Sequence, residues 1–164
     1  MAMNSAMIAE FQQESDNTRK MLERVPVEKF SWKPHDKSYD LVTLARHIAE
    51  MAGWAGFTVN ANELDFATMN YSPPAINTLK DLLDLFEHNR KACIESLQNA
   101  TDEILMQPWT LRNGSHVIFT LPKVVVLRSM VFNHIIHHRG QLSVYLRLLD
   151  VPVPGMYGPS ADEA

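Results

Sequence analysis

Apolar residues recur at every third or fourth position along four stretches of the chain, and this spacing predicts four amphipathic helices. Ser38 or Asp40 is suited to cap the second helix, and the third begins near Asn77 or Thr78. Pro122 fits the first turn of the fourth helix. The predicted faces comprise Ile8, Phe11, Ser15, Thr18, Leu22 and Val25; Leu44, His47, Ile48, Met51, Trp54, Ala55 and Thr58; Leu79, Leu82, Leu83, Phe86, Arg90, Cys93, Ile94 and Leu97; and Leu127, Val131, His134, His138, Leu142, Tyr145 and Leu149.

The segments between these stretches contain the signals of turns and loops. Residues 26–39 are rich in Pro, Lys and Ser, and residues 64–76 contain Tyr-Ser-Pro-Pro, which predicts a long loop. Between positions 107 and 120 the period changes to alternation around Asn113-Gly114, which predicts a β-hairpin. The tail over residues 151–160 has too many Pro and Gly residues for a helix. The pattern therefore predicts an all-α four-helix bundle, with a small β-hairpin before the last helix, as one domain over residues 1–164.

Composition and charge argue against nucleic acids and membranes as partners of this protein. The formal net charge is −4, and Lys and Arg never form a run longer than two, so we expect no nucleic-acid partner. No stretch approaches 18 consecutive apolar residues, so we expect no membrane span. The single cysteine, Cys93, cannot form a disulfide within the chain, and no signal peptide is apparent. These features together predict a cytoplasmic protein.

Three histidines carry the main chemical signal. His134 and His138 are four residues apart, which places them on one helix face with their Cβ atoms about 5–6 Å apart, close enough to bind one divalent ion. At about 100° per residue, both lie within about 20° of the centre of the apolar face set by Leu127, Val131 and Tyr145. His47 also lies on a helical apolar face. Three buried imidazoles without a ligand are costly to satisfy, so the sequence predicts a metal site of His47, His134 and His138.

Other polar residues have simpler interpretations. Gln141 and Glu50 lie near the edge of the histidine face, where each either orients a water or substrate or is part of a solvated rim. Arg139 either reaches an anionic ligand or pairs with a carboxylate, and Cys93 is interpreted as a small core residue. The remaining histidines fit the metal face poorly; they are His35 in a loop, His88 off the apolar face, His116 in the hairpin and His137 at the rim.

Several motifs resemble the DinB family, also called DinB/YfiT-like metalloenzymes, over most of the chain. They are Phe30-Ser-Trp-Lys-Pro34, the segment Ser38–Met51 around His47, the segment Asn133–Leu149 with His-His-Arg-Gly-Gln, and the ending over residues 153–163. The resemblance implies an up-down-down-up bundle, often a homodimer. It also implies a nickel, zinc or iron ion bound by the three histidines. Characterised relatives include thiol-dependent S-transferases and isomerases that use bacillithiol or mycothiol, and suspected hydrolases.

Two classes of function follow from a three-histidine site. Three protein ligands leave a coordination position open, which is typical of catalytic rather than structural metal sites. The first hypothesis is therefore a metal-dependent enzyme acting on a small molecule, either a low-molecular-weight thiol in a transferase reaction or the substrate of a hydrolase. The alternative is a non-catalytic metal-binding stress-response protein, in which the ion mainly stabilises the bundle. A fourth protein ligand would favour the alternative.

Overall fold

A computed structural model describes residues 2–163, and four long helical segments dominate it. They are α1 (Met3–Leu22), α2 (Leu41–Met51) with its continuation α3 (Trp54–Asn60), α4 (Leu79–Gln98), and a last helix that ends as α7 (Asn133–Leu148). At each of two helix starts the structure selects one of the two residues that the sequence offered, Asp40 for α2 and Thr78 for α4. Asp40 accepts a hydrogen bond from the N–H of Thr43, and Thr78 forms a capping box with Asp81. Shorter elements connect the long ones: a 3₁₀ turn (Val27–Lys29), α5 (Asp102–Leu105) and α6 (Lys123–Val126).

Side-chain contacts establish how the helices run relative to α1. Glu10 pairs with Arg128 and Glu14 with Arg139, so the last helix runs parallel to α1. The amide of Asn4 bonds to Leu97, near the end of α4, whereas other α1–α4 contacts involve later residues of α1 and earlier residues of α4. Helix α4 is therefore antiparallel to α1.

Helix α2 completes the bundle between α4 and α7. The amide of Asn89 bonds to Ala49, and a side chain on Gly56 would face Ser96, so α2 and α3 run parallel to α4. His47 lies beside His138 and Trp54 beside His134, so α2 and α3 run antiparallel to α7. The chain order is thus up, down, down, up, and the site histidines meet where α2 and α7 cross.

The second predicted helix is broken rather than continuous. It ends at Met51, and α3 begins at Trp54. The amide of Asn89 donates to the carbonyl of Ala49 at 3.0 Å, the carbonyl that the N–H of Gly53 would otherwise use, and Gly53 instead bonds to Glu50. A side chain that inserts into the helical hydrogen-bond ladder in this way bends or breaks the helix.

The last helix contains a wider turn that the sequence did not predict. Helix α6 passes into a π-helical segment (Leu127–Phe132) and then into α7. The N–H of Asn133 bonds to the carbonyl of Arg128, five residues back. A π-helical turn contains more residues than an α-helical turn, so side chains four positions apart stay on the same side of this helix. The row of buried side chains therefore continues from Leu127 and Val131 to Ile135.

The all-α prediction is wrong in one respect, because the sheet is larger than a hairpin. The predicted hairpin is present as β2 (Pro108–Asn113) and β3 (His116–Pro122), with Gly114 at φ +60° in the turn. A third strand, β1 (Glu63–Asp65), pairs parallel to β2 and overlaps the start of the segment predicted as a loop, residues 64–76. The carboxylate of Asp65 accepts the N–H groups of Gly114 and Ala67, which attaches β1 to the hairpin turn. The fold is therefore mostly helical with a three-stranded mixed sheet.

The four long helices share one apolar core, and residues from each of them are almost fully buried in it. A smaller cluster under the sheet contains Trp109, Leu111 and Val126. Lys123 is buried, and its ammonium donates to the carbonyl of Val59 at 2.8 Å, near the end of α3. Among residues 2–163, no helix has the length and apolar character needed to cross a membrane.

Candidate metal centre

The structure brings together the three histidines that the sequence singled out. His47 is on α2, His134 and His138 are on α7, and one ring nitrogen of each lies within 4.8 Å of the others. The ring centroid of His47 is 5.3 Å from that of His134 and 4.8 Å from that of His138. Within residues 2–163, no carboxylate or thiol joins this group. The cluster thus offers three neutral nitrogen donors and no fourth protein ligand.

The hydrogen bonds of the α7 pair indicate which nitrogens are free. The Nε2 atoms of His134 and His138 are 2.9 Å apart. His138 Nδ1 lies 2.7 Å from the carbonyl oxygen of the Gln141 side chain, and His134 Nδ1 lies 3.4 Å from the backbone carbonyl of Met130. Because both partners are acceptors, each Nδ1 carries the ring proton. Both Nε2 lone pairs then point into the cluster.

This arrangement fits a metal ion. Two unprotonated nitrogens at 2.9 Å repel each other unless a cation lies between them. Two imidazole ligands about 2.0–2.1 Å from one ion and at a right angle are about 2.9 Å apart. A ligating histidine also usually donates its other ring N–H to a carbonyl or carboxylate, as His138 does here. The donor set and its outer partners therefore suit a divalent transition metal.

Burial keeps all three rings neutral. Desolvation, with smaller contributions from the charges of His138, His134 and Arg46, lowers the pKa of His47 to about 4. Desolvation also lowers the pKa values of His134 and His138, although their hydrogen bonds to Met130 and Gln141 oppose this. Neutral imidazole is the form that binds metals, so the cluster is ready to ligate at neutral pH.

The histidines lie at the edge of the core and not at its centre. The buried residues of α7 are Ile135, Arg139, Leu142 and Leu146, whereas all three histidines are only half-buried. The prediction that His134 and His138 lie near the centre of the apolar face is therefore wrong. The sequence estimate assumed 3.6 residues per turn throughout, whereas the π-helical segment changes the phase of the helix before α7. The edge position leaves one side of the cluster open toward solvent.

Aromatic rings line part of this site. The Trp54 ring is 5.6 Å from that of His47 and 5.7 Å from that of His134. The exposed ring of Tyr39 is 6.3 Å from that of His47. Trp54 is on the same predicted helix face as His47, so its position beside His47 follows from the sequence pattern. Tyr39 lies in the connection before α2, and the sequence pattern does not predict its contact with His47.

The other candidate histidines lie outside the cluster, as predicted. His35 and His116 are exposed in a loop and at the start of β3, and His88 is exposed on α4. His137 is also exposed, but its Nε2 lies 3.1 Å from the amide nitrogen of Gln141. Gln141 is therefore more than a solvated rim residue, because it contacts both His137 and His138.

The structure also places three further residues that the sequence analysis considered. Arg139 is buried and faces α1, where it pairs with Glu14 at 2.6 Å and does not reach the histidines. Cys93 is buried, and desolvation raises the pKa of its thiol, which suits a core residue. Glu50 lies one helical turn after His47 and accepts the hydroxyl of Tyr71 at 2.9 Å. No signal in the sequence indicated the Tyr71 contact, because this contact depends on the fold of the long connection.

Comparison with known proteins agrees with this fold. The chain is 24% identical over 156 residues to the uncharacterised protein YrdA of Bacillus subtilis, covering 92% of this chain and 85% of that protein. The structure matches a DinB-like protein of Bacillus cereus with a TM-score of 0.71 and 25% identity, covering 95% and 98% of the two chains. It matches the DinB-like protein YjoA of Bacillus subtilis with a TM-score of 0.68 and 18% identity, covering 90% and 95%. The DinB family model matches residues 1–164, and the chain belongs to the DinB family.

Proposed function

We propose that this protein is an enzyme that depends on one divalent metal ion bound by His47, His134 and His138. The observation that carries the proposal is the pair of Nε2 atoms 2.9 Å apart, with the ring protons of both histidines engaged elsewhere. The lack of a fourth protein ligand among residues 2–163 and the half-buried edge position favour a catalytic site over a structural one.

For the reaction itself, the proposal is that the enzyme transfers a thiol to a small electrophile. A bound divalent ion would lower the pKa of a coordinated thiol into the neutral range. Three neutral ligands leave the ion's charge uncompensated, which favours an anionic partner such as a thiolate. Cys93 is buried in the core and does not supply this thiol, so a low-molecular-weight thiol would.

The residues around the cluster have separate parts in this proposal. The rings of Trp54 and Tyr39 flank the histidines and would exclude water from one side of a bound substrate. Glu50, held by Tyr71, is a hydrogen-bond acceptor one turn along α2 and would orient a polar group of the substrate. The homodimer and the choice among nickel, zinc and iron remain predictions from the family resemblance.

Metal analysis of the purified protein tests the site. We expect about one divalent ion per chain, and we expect His47→Ala, His134→Ala and His138→Ala each to lower occupancy sharply. His88→Ala is the matched control, because that side chain is exposed on α4 and should not alter occupancy. Full occupancy in His134→Ala would show that the proposed site is wrong.

A spectroscopic titration tests the reaction class. A biological thiol added to the cobalt- or nickel-substituted protein should produce new thiolate-to-metal absorption. The same thiol should transfer to an electrophile faster with wild-type protein than with His138→Ala. If several thiols at about millimolar concentration cause no spectral change, the transferase proposal fails, and a hydrolase or a non-catalytic metal-binding protein becomes the better assignment.

A further inference from the structure

Gln141 connects two histidines on the exposed side of α7. Its side-chain oxygen lies 2.7 Å from His138 Nδ1, and its side-chain nitrogen lies 3.1 Å from His137 Nε2. The spacings of three and four residues make these side chains neighbours on one helix surface. In this orientation the amide accepts a hydrogen bond from His138 and donates one to His137.

We propose that Gln141 is a positioning residue for the three-histidine site, which keeps the His138 ring proton on Nδ1 and the Nε2 lone pair directed at His134 and His47. The inference rests on the proposed metal site. A neutral imidazole carries its proton on only one nitrogen, and a hydrogen bond to that nitrogen selects the tautomer. The 2.7 Å contact therefore determines which His138 nitrogen is available to a metal.

The two α7 ligands are not constrained equally. The corresponding contact of His134, with the backbone carbonyl of Met130, is 3.4 Å long and consequently weaker. His138 is thus the α7 histidine whose tautomer is set by a side chain, and a substitution can remove that constraint without changing the backbone.

The role of Gln141 is separable from fold stability. Its side chain is exposed, so water replaces its hydrogen bonds when it is substituted, and the free energy of unfolding should change little. A loss of metal affinity without a loss of stability would therefore identify positioning. Outer partners of ligating histidines typically contribute about 10–100-fold to metal affinity.

Zinc affinity, measured by competition with a chromophoric chelator, is the first test. Gln141→Leu removes the acceptor and should weaken zinc binding by about 10–100-fold, while the melting temperature of the metal-free protein stays unchanged. Gln141→Glu keeps an acceptor beside Nδ1 and should bind zinc at least as tightly as wild type. Ser143→Ala is the matched control on the same helix, since its hydroxyl bonds only to the carbonyl of Gly140 among the described contacts.

Nitrogen NMR of the imidazole rings in metal-free protein is the second test. His138 should carry its proton on Nδ1 in the wild type, whereas Gln141→Leu should shift the population toward the Nε2 tautomer. An unchanged zinc affinity or an unchanged tautomer in Gln141→Leu would overturn the inference. If wild-type protein binds no zinc or other divalent ion, the proposed function fails instead, and the NMR measurement alone decides the role of Gln141.

Discussion

Replacing Arg139 with methionine should destabilise the fold without altering metal binding. The Arg139 side chain is 3% exposed and lies between α7 and α1. It donates four hydrogen bonds, to the Glu14 carbonyl at 2.8 Å, Thr18 Oγ1 at 3.1 Å, Glu14 Oε2 at 2.6 Å and the Tyr157 hydroxyl at 2.7 Å. Arg139→Met has a similar apolar stem but removes all four donors and the positive charge.

The expected loss of stability follows from the Glu14 carboxylate, which remains between the helices without its partner. Breaking a buried ion pair by removing one partner costs about 3–5 kcal/mol, because the other charge stays buried without compensation. The Glu14 side chain is 14% exposed and keeps its hydrogen bond from Tyr157, so we expect the lower end, about 3 kcal/mol. With a urea dependence of about 2 kcal/mol per molar, the unfolding midpoint should fall by about 1.5 M.

Urea unfolding followed by circular dichroism measures this change. The matched control is Arg147→Met on the same helix, whose ion pair with Asp162 is more exposed, and it should lower the urea midpoint much less than Arg139→Met does. The double variant Arg139→Met/Glu14→Met should be less destabilised than the sum of the two single variants. A cost below about 1 kcal/mol for Arg139→Met would refute the assignment of a buried, uncompensated charge.

Three further predictions concern pH, chelation and two glycines. The metal-free protein should lose stability as the pH falls from about 6.5 to about 4, because the pKa of His47 is about 4 in the folded protein and about 6.5 in the unfolded chain. In His47→Leu, the urea unfolding midpoint should depend less on pH over this range. Chelation of the metal-loaded protein should lower the melting temperature but preserve the helical circular dichroism, since the core does not include the ion; a random-coil spectrum would indicate a structural metal. Gly53→Ala should destabilise the fold by about 1–2 kcal/mol, because the added Cβ would lie 2.7 Å from Asn89 Oδ1. Gly140→Ala has no neighbour within 4 Å of the added Cβ and should stabilise the fold by up to about 1 kcal/mol. Equal effects of the two substitutions in a urea titration would contradict this prediction.

Local signals in the sequence were sufficient for the positions of the four long helical segments, for candidate caps and for the three histidines. The cap at Asp40, the capping box at Thr78 and the turn at Gly114 each depend on residues within a few positions of one another. His47 and the α7 pair were recognisable because they share faces with apolar residues, and a four-helix bundle brings such faces together.

The features that the sequence did not reveal depend on distant contacts. Strand β1 exists because Asp65 binds the hairpin turn almost fifty residues later in the chain. The break after α2 depends on Asn89 of another helix, which takes a backbone acceptor from α2. Gln141 could have been recognised from its spacing to His137 and His138, but spacing alone does not distinguish a solvated amide from one that bonds to both rings.

The crossing of α2 and α7 also determines when the site appears during synthesis. His47 lies in the first third of the chain, and its two partners lie in the last long helix. A nascent chain that has not yet released residue 138 has no complete site, and contacts over such a separation form late because loop closure must precede them. A metal ion bound at this site would therefore be acquired by an already folded bundle, and its supply would determine how much of the protein is loaded.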